Sequence, residues 1–217
     1  QLGDGNTTNR LSPIKIEDAN VTQVAAGAYH TLFLKNDGSV WSVGRNQFGQ
    51  LGDGTKSNRS TPYKFIEANA TGIACGLGNS FVLMQDGSLL ACGETSHYRT
   101  GLSGSSHQTL PQVVFSSGVN QVSPGSVHSL FLKTDGSLWA AGHNANGKVG
   151  KNSLNAGFPP TKIVDSGVAG ISAGGNHSIY WTNEGDVYVF GSDQSGQLGL
   201  GRSVYVRTLR VLYDPSN

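Results

Sequence analysis

The chain repeats itself every 49 residues, and that period limits its fold more than any other property. Gly27, Gly76, Gly125 and Gly174 are spaced by it. So are Gly44, Gly93, Gly142 and Gly191, and so are Gly52, Gly101, Gly150 and Gly199, with Gly3 one step earlier. An acidic residue followed by glycine recurs at Asp37, Asp86, Asp135 and Glu184. No insertion breaks the frame until the last few residues. The expected organisation is one domain over 1–217, with a partial copy at 1–18 and full copies at 19–67, 68–116, 117–165 and 166–217.

Each copy reads alike. Val24–Ala26 is a short apolar strand ended by Gly27, and Thr31–Lys35 is a second. Asp37-Gly38 predicts a two-residue hairpin, since Gly accepts positive φ freely and Asp better than most residues. Ser39–Val43 returns, a polar Gly/Asn/Ser segment follows, and Tyr63–Ile66 forms a weaker fourth strand near Pro62 (Pro13, Pro111 and Pro160 in other copies). That hairpin places Leu32, Leu34, Trp41 and Val43 on one face, with Phe33 and Val40 on the other. Both faces are apolar, so each small sheet must be covered on both sides. Four-stranded antiparallel units stacked face to face are the blades of a β-propeller, and the fold class is all-β. A β-solenoid is the structural alternative; the pattern holds no helical repeat.

Composition supports this reading and excludes others. Of 217 residues, 31 are Gly and only 13% are charged, which suits tight turns and not a disordered chain. Net charge is +1, so nothing in bulk electrostatics favours nucleic acid or an anionic membrane as partner. No apolar run is long enough to span a bilayer. Gln1 is not a translation start, so a processed, trimmed or partial chain is expected. The two cysteines, Cys75 and Cys92, are too few for a disulfide framework or a four-thiolate zinc site. A single disulfide between them and a pair of small buried hydrophobes are both open.

Two motifs resemble one family. Val24-Ala-Ala-Gly-Ala-Tyr-His30-Thr-Leu-Phe-Leu34, with its copies ending at Asn79-Ser-Phe, His128-Ser-Leu and His177-Ser-Ile, is similar to the signature of the regulator of chromosome condensation repeats. Asn46-Gln-Phe-Gly-Gln-Leu-Gly-Asp-Gly54 and Ser195-Gly-Gln-Leu-Gly-Leu-Gly201 resemble that family's second hallmark. The second copy departs from both, with Asn79 for His and Thr95–Arg99 in place of the hallmark. The resemblance implies a seven-bladed ring, which at this period needs about 340 residues. Gln1–Gly5 and the segment from Gln197 repeat the same part of the unit, so the two ends are redundant. The expectation is a fragment of a longer propeller, or a ring completed by other chains.

The repeating polar residues invite catalytic readings that the repeat itself answers. His30, His128 and His177 share one position, but equivalent positions in different blades are too far apart for one ion; they are expected to be structural, packing and bonding to backbone. Asp37, Asp86 and Asp135 are turn residues before they are acids. Asp4 and Asp53 lack the oxygen spacing of a calcium loop. Gly49–Gly54 has neither the Gly-Lys-Ser/Thr ending nor the following helix of a phosphate loop. Trp41 and Trp139 read as core, and Trp181 as packed between blades. Arg10 and Arg59 recur before the fourth strand and are expected to cap that turn, or to meet an acidic partner at the rim. No catalytic residue, metal site or cofactor is expected.

Five sequons occur, at Asn6, Asn20, Asn58, Asn69 and Asn176. Asn176 abuts a core strand and is set aside; the other four are glycosylation candidates and lean toward a secreted or extracellular setting over a cytoplasmic one. The leading functional expectation is a non-enzymatic scaffold that binds protein partners through the propeller rims. The alternatives are an assembly component of an extracellular or surface complex, a carbohydrate-binding propeller, and a guanine-nucleotide exchange factor. The resemblance names the last, but exchange needs a protruding wedge, for which the strict frame leaves no room.

Overall fold

The computed structural model describes residues 1–16, 19–104, 107–153, 155–201 and 205–213, with the backbone alone at 205 and 207–213. Among the described residues, sixteen strands form four antiparallel four-stranded sheets, each a meander in sequence order. The first holds β1 (Val21–Ala26), β2 (His30–Lys35), β3 (Val40–Gly44) and β4 (Arg59–Ile66); the second holds β5 (Ala70–Cys75), β6 (Asn79–Met84), β7 (Leu89–Gly93) and β8 (Gln108–Phe115). The third holds β9 (Val119–Pro124), β10 (His128–Lys133), β11 (Leu138–Gly142) and β12 (Phe158–Val164). The fourth holds β13 (Val168–Ala173), β14 (His177–Thr182), β15 (Val187–Ser192) and β16 (Tyr205–Tyr213). A short 3-10 turn, Ser96–Tyr98, stands in the degenerate second copy. The sheets are propeller blades. The chain divides into two compact units, one holding β1–β8 and the other the 3-10 turn with β9–β16.

The hairpin differs from the expected one by a single residue, and that residue reverses the faces. The Gly38 amide donates to the Lys35 carbonyl at 3.0 Å, and the Lys35 amide donates to the Ser39 carbonyl at 3.0 Å. Asn36 and Asp37 are therefore the centre of a turn that Gly38 closes at φ +76, a three-residue loop with a bulge. Asp37 needs no positive φ. It accepts the Ser39 amide at 2.9 Å and the Ser39 hydroxyl at 2.7 Å. The register becomes Leu32 opposite Ser42, Phe33 opposite Trp41 and Leu34 opposite Val40. Leu32, Leu34 and Val40 thus share a face, and Phe33 and Trp41 share the other, because one residue of slip turns every side chain over.

In the first unit, Leu32, Leu34 and Val40 pack against Ala70, Ile73 and Val82 of the second blade. In the other unit Leu130, Leu132 and Leu138 meet Val168, Ile171 and Tyr180 in the same way. The fourth strand starts earlier than expected, at Arg59, and runs through Pro62. It is the outermost strand of its blade, where a missing amide costs no ladder bond. Trp181 holds the position of Leu34 and Leu132, which pack on the following blade; it lies on the uncovered face of the last sheet, with its ring over Gly170.

Candidate functional site

The recurring residues are spent on the blades. His30 is buried, and its Nε2 lies 2.9 Å from the Ser80 hydroxyl of the next blade. That hydroxyl donates to the Gln50 carbonyl at 2.7 Å, so the imidazole carries its proton on Nε2 and donates. The same clasp joins His128 to Ser178 at 2.9 Å and Ser178 to the Lys148 carbonyl at 2.7 Å. Burial pushes the His30 pKa down to about 4 and that of His128 to about 3, so both rings are neutral at pH 7. His177 is half-buried, and desolvation lowers its pKa as well. Gly27, Gly125 and Gly174 sit beneath these rings; a Cβ on Gly27 would lie 2.3 Å from His30. Gly76, the second-copy member, donates its amide to the Asn79 carbonyl at 2.9 Å. Asp86 and Asp135 accept the Ser88 and Ser137 amides at 2.9 Å, as Asp37 does for Ser39. Hydrogen bonds from those serines hold all three carboxyl groups below the usual range.

The cysteines are free thiols, not a disulfide. Each sulfur faces a carbonyl of the first blade: Cys75 Sγ donates to Ala25 at 3.4 Å, and Cys92 Sγ to Gln50 at 3.6 Å. Desolvation pushes the Cys75 pKa up to about 12 and raises that of Cys92 further. Neither forms thiolate at neutral pH.

The sequon asparagines have local uses too. Asn20 and Asn69 take positive φ, 70° and 66°, at the position that Gly118 and Gly167 fill in later copies at 73° and 83°. Asn is the residue after Gly that best accepts this conformation. Asn6 Oδ1 accepts the Thr8 amide at 2.9 Å, and Asn58 Oδ1 accepts the Asn46 amide at 2.8 Å. Asn46 itself is the hinge of the second hallmark: its Oδ1 accepts the Leu51 amide at 2.9 Å while its Nδ2 reaches Asp53 at 2.9 Å. Arg59 pairs with that same Asp53 at 2.5 Å, and Arg10 with Asp4 at 2.6 Å. These arginines close their own loops.

What is left unspent lies where copies differ. In the first unit the β1–β2 and β3–β4 loops leave the same end of the blade. Tyr29 is 49% exposed there, and the Arg45 guanidinium lies 5.2 Å from its ring and 5.8 Å from that of Phe48. Phe48 meets His107 edge to face at 4.9 Å. Arg45 bonds to Gln47 and has no carboxylate partner among the described residues. Beside it opens a cleft of about 630 Å³ whose lining includes Arg10, Tyr29, Arg45, Asn58 and Arg59. The sequence reading missed Tyr29, Arg45 and Phe48 because it weighed only what recurs. The signal was the reverse: the position of Arg45 holds Glu94, His143 and Ser192 in later copies. Among the described residues, no three His, Cys, Asp or Glu side chains converge as metal ligands, and no helix is long and apolar enough to cross a membrane.

Comparison with known proteins returns the resemblance at full length. The model of the RCC1-like domain matches residues 1–212. Human WBSCR16 superposes with a TM-score of 0.83 at 25% identity, over 96% of this chain and 56% of that one. Yeast RCC1 (Prp20), solved bound to Kap60, gives 0.81 at 24% identity, over 94% and 51%. Prp20p from Saccharomyces cerevisiae, solved in a study of its binding to Gsp1p and histones, gives 0.82 at 24%, over 94% and 52%. The chain therefore spans about half the length of the solved structures it matches.

Proposed function

This chain belongs to the RCC1-like domain family, and on that premise we propose that it is a non-enzymatic interaction module that grips an acidic protein partner at the rim bearing Tyr29, Arg45 and Phe48. The observation that carries the reading is Arg45: a guanidinium set against two aromatic rings, bonded only to a neutral amide, at the mouth of a cleft. Arginine and tyrosine are the side chains that most often dominate protein interfaces. Aromatic stacking holds the guanidinium in place, so little freedom is lost when a carboxylate docks on it. The recurring polar groups support the same reading, since the histidines are engaged between blades and the turn aspartates within them. Yeast RCC1 bound to Kap60 is a precedent for protein binding in the family.

Photo-crosslinking tests this. A crosslinker at position 29 should capture an acidic protein from the native source, and Arg45→Ala should abolish the capture. The same crosslinker at Gln85, in a turn at the other end of the blades, should not capture it. Equal capture from both ends, or capture that survives Arg45→Ala, would rule the reading out.

A further inference from the structure

Two blade faces are left uncovered, and together they hold both halves of a blade joint. Within each unit that joint is built one way. The leading blade offers Leu32, Leu34 and Val40, or Leu130, Leu132 and Leu138, with a histidine that donates. The following blade offers Ile73 or Ile171, with the serine hydroxyl that accepts. The fourth sheet carries an uncovered leading half. Ile179, Trp181 and Val187 take the positions of Leu32, Leu34 and Val40, and none of the three is buried. Trp181 is 42% exposed where Leu34 is 5%. His177 is half-buried, and no hydroxyl meets its ring among the described residues. The first sheet carries an uncovered following half. Val24 takes the position of Ile73 and Ile171, and is 70% exposed where they are 6% and 3%. Val21 is exposed where Ala70 and Val168 are buried. Thr31 takes the position of Ser80 and Ser178. Its hydroxyl donates to the Gln1 carbonyl at 3.0 Å, as Ser80 does to Gln50 and Ser178 to Lys148. With its proton so used, the Thr31 oxygen is left as an acceptor, the role its counterparts play toward an imidazole.

We propose that a second copy of this chain docks head to tail, its first blade on the fourth blade of its neighbour, with His177 donating to Thr31 of the second copy. The contact repeats the joint already formed between the first and second sheets and between the third and fourth. It therefore asks for no packing that the chain does not already use. The changes in side-chain size run in opposite directions: tryptophan replaces leucine on one face, and valine replaces isoleucine on the other, so part of the added volume is offset. The contact is heterologous, because it pairs unlike faces and leaves one of each free on a dimer. It uses blade faces and does not depend on the reading of Arg45.

Sedimentation velocity at rising concentration tests this, with Trp181→Asp and Val24→Asp, both at exposed positions. The wild type should associate, and each variant alone should stay monomeric. An equimolar mixture of the two should form a dimer and nothing larger, because each variant keeps the half that the other has lost. That mixed dimer also shows that both variants fold. Adding His177→Ala to the Val24→Asp chain should weaken the mixed dimer about fivefold, the loss of one hydrogen bond. A wild type that stays monomeric throughout would overturn the assignment, and would leave the faces to a blade of some other chain. So would a single variant that still associates alone, a mixture that stays monomeric, or a mixed dimer indifferent to His177→Ala.

Discussion

Acidifying the protein should destabilise it through its buried histidines, beginning above the pH at which carboxylates protonate. In the folded chain His30 titrates near pH 4 and His128 near pH 3, against an ordinary value of 6.5. Above about pH 7.5 each ring is neutral in both states and contributes nothing to pH dependence. Below 6.5 the unfolded chain binds a proton that the folded chain refuses, so stability falls as pH falls, by about 1.4 kcal/mol per pH unit per ring. Carried down to the folded values, this removes about 3 kcal/mol through His30 and about 5 kcal/mol through His128, comparable with the whole stability of a domain. The perturbation is His30→Asn, which installs the residue that the second copy already buries as Asn79. At pH 7.5 the variant loses the bond to Ser80, worth about 1 kcal/mol. Urea unfolding of both proteins from pH 7.5 to 5.0 should then show the wild type losing about 2 kcal/mol more than the variant over that range. His128→Asn should behave likewise. A gap between wild type and variant that stays constant with pH would refute the reasoning, since the ring would then titrate alike folded and unfolded.

Three further outcomes follow from the same geometry. Gly27→Ala should cost upwards of about 2 kcal/mol in urea unfolding, since its Cβ would lie 2.3 Å from the His30 ring and 2.9 Å from the Gly76 carbonyl. Buried Cys92 and half-buried Cys75, its thiol pKa pushed up to about 12, should resist a thiol reagent such as Ellman's in the folded protein and react together once urea unfolds it; prompt labelling of native protein would contradict thiols held protonated. Tyr98 holds φ 63 where copies one, three and four have Gly49, Gly147 and Gly196 at 75 to 82. Tyr98→Gly should therefore raise the unfolding midpoint, by roughly 0.5–1 kcal/mol in free energy.

The repeat made the fold legible because Gly, Asp-Gly and the strand pattern answer to geometry alone, and geometry is what recurs. The error lay in the hairpin. Asp-Gly is compatible with a two-residue turn and with the last two residues of a three-residue loop. Sequence cannot weigh the Asn36 turn and the Ser39 bonds that decide it, and one residue of register exchanged the faces of Trp41 and Val40. The disulfide stayed open for a similar reason: where two thiols point is set by which blades pack, not by their spacing. The site was least legible. Tyr29 and Arg45 stand out only as departures from the copies beside them. A departure carries meaning only when the pocket around it is known.

The clasp bears on folding as much as on stability. Its partners are 50 residues apart from His30 to Ser80 and 30 apart from Ser80 to Gln50, and the same separations recur from His128. Closing a loop costs only a term logarithmic in its length. Docking a blade on its predecessor within a unit therefore always closes loops of the same size, however many blades stand before it. Contact order stays bounded as the chain grows, so a longer array of such blades need not fold more slowly per blade than a short one.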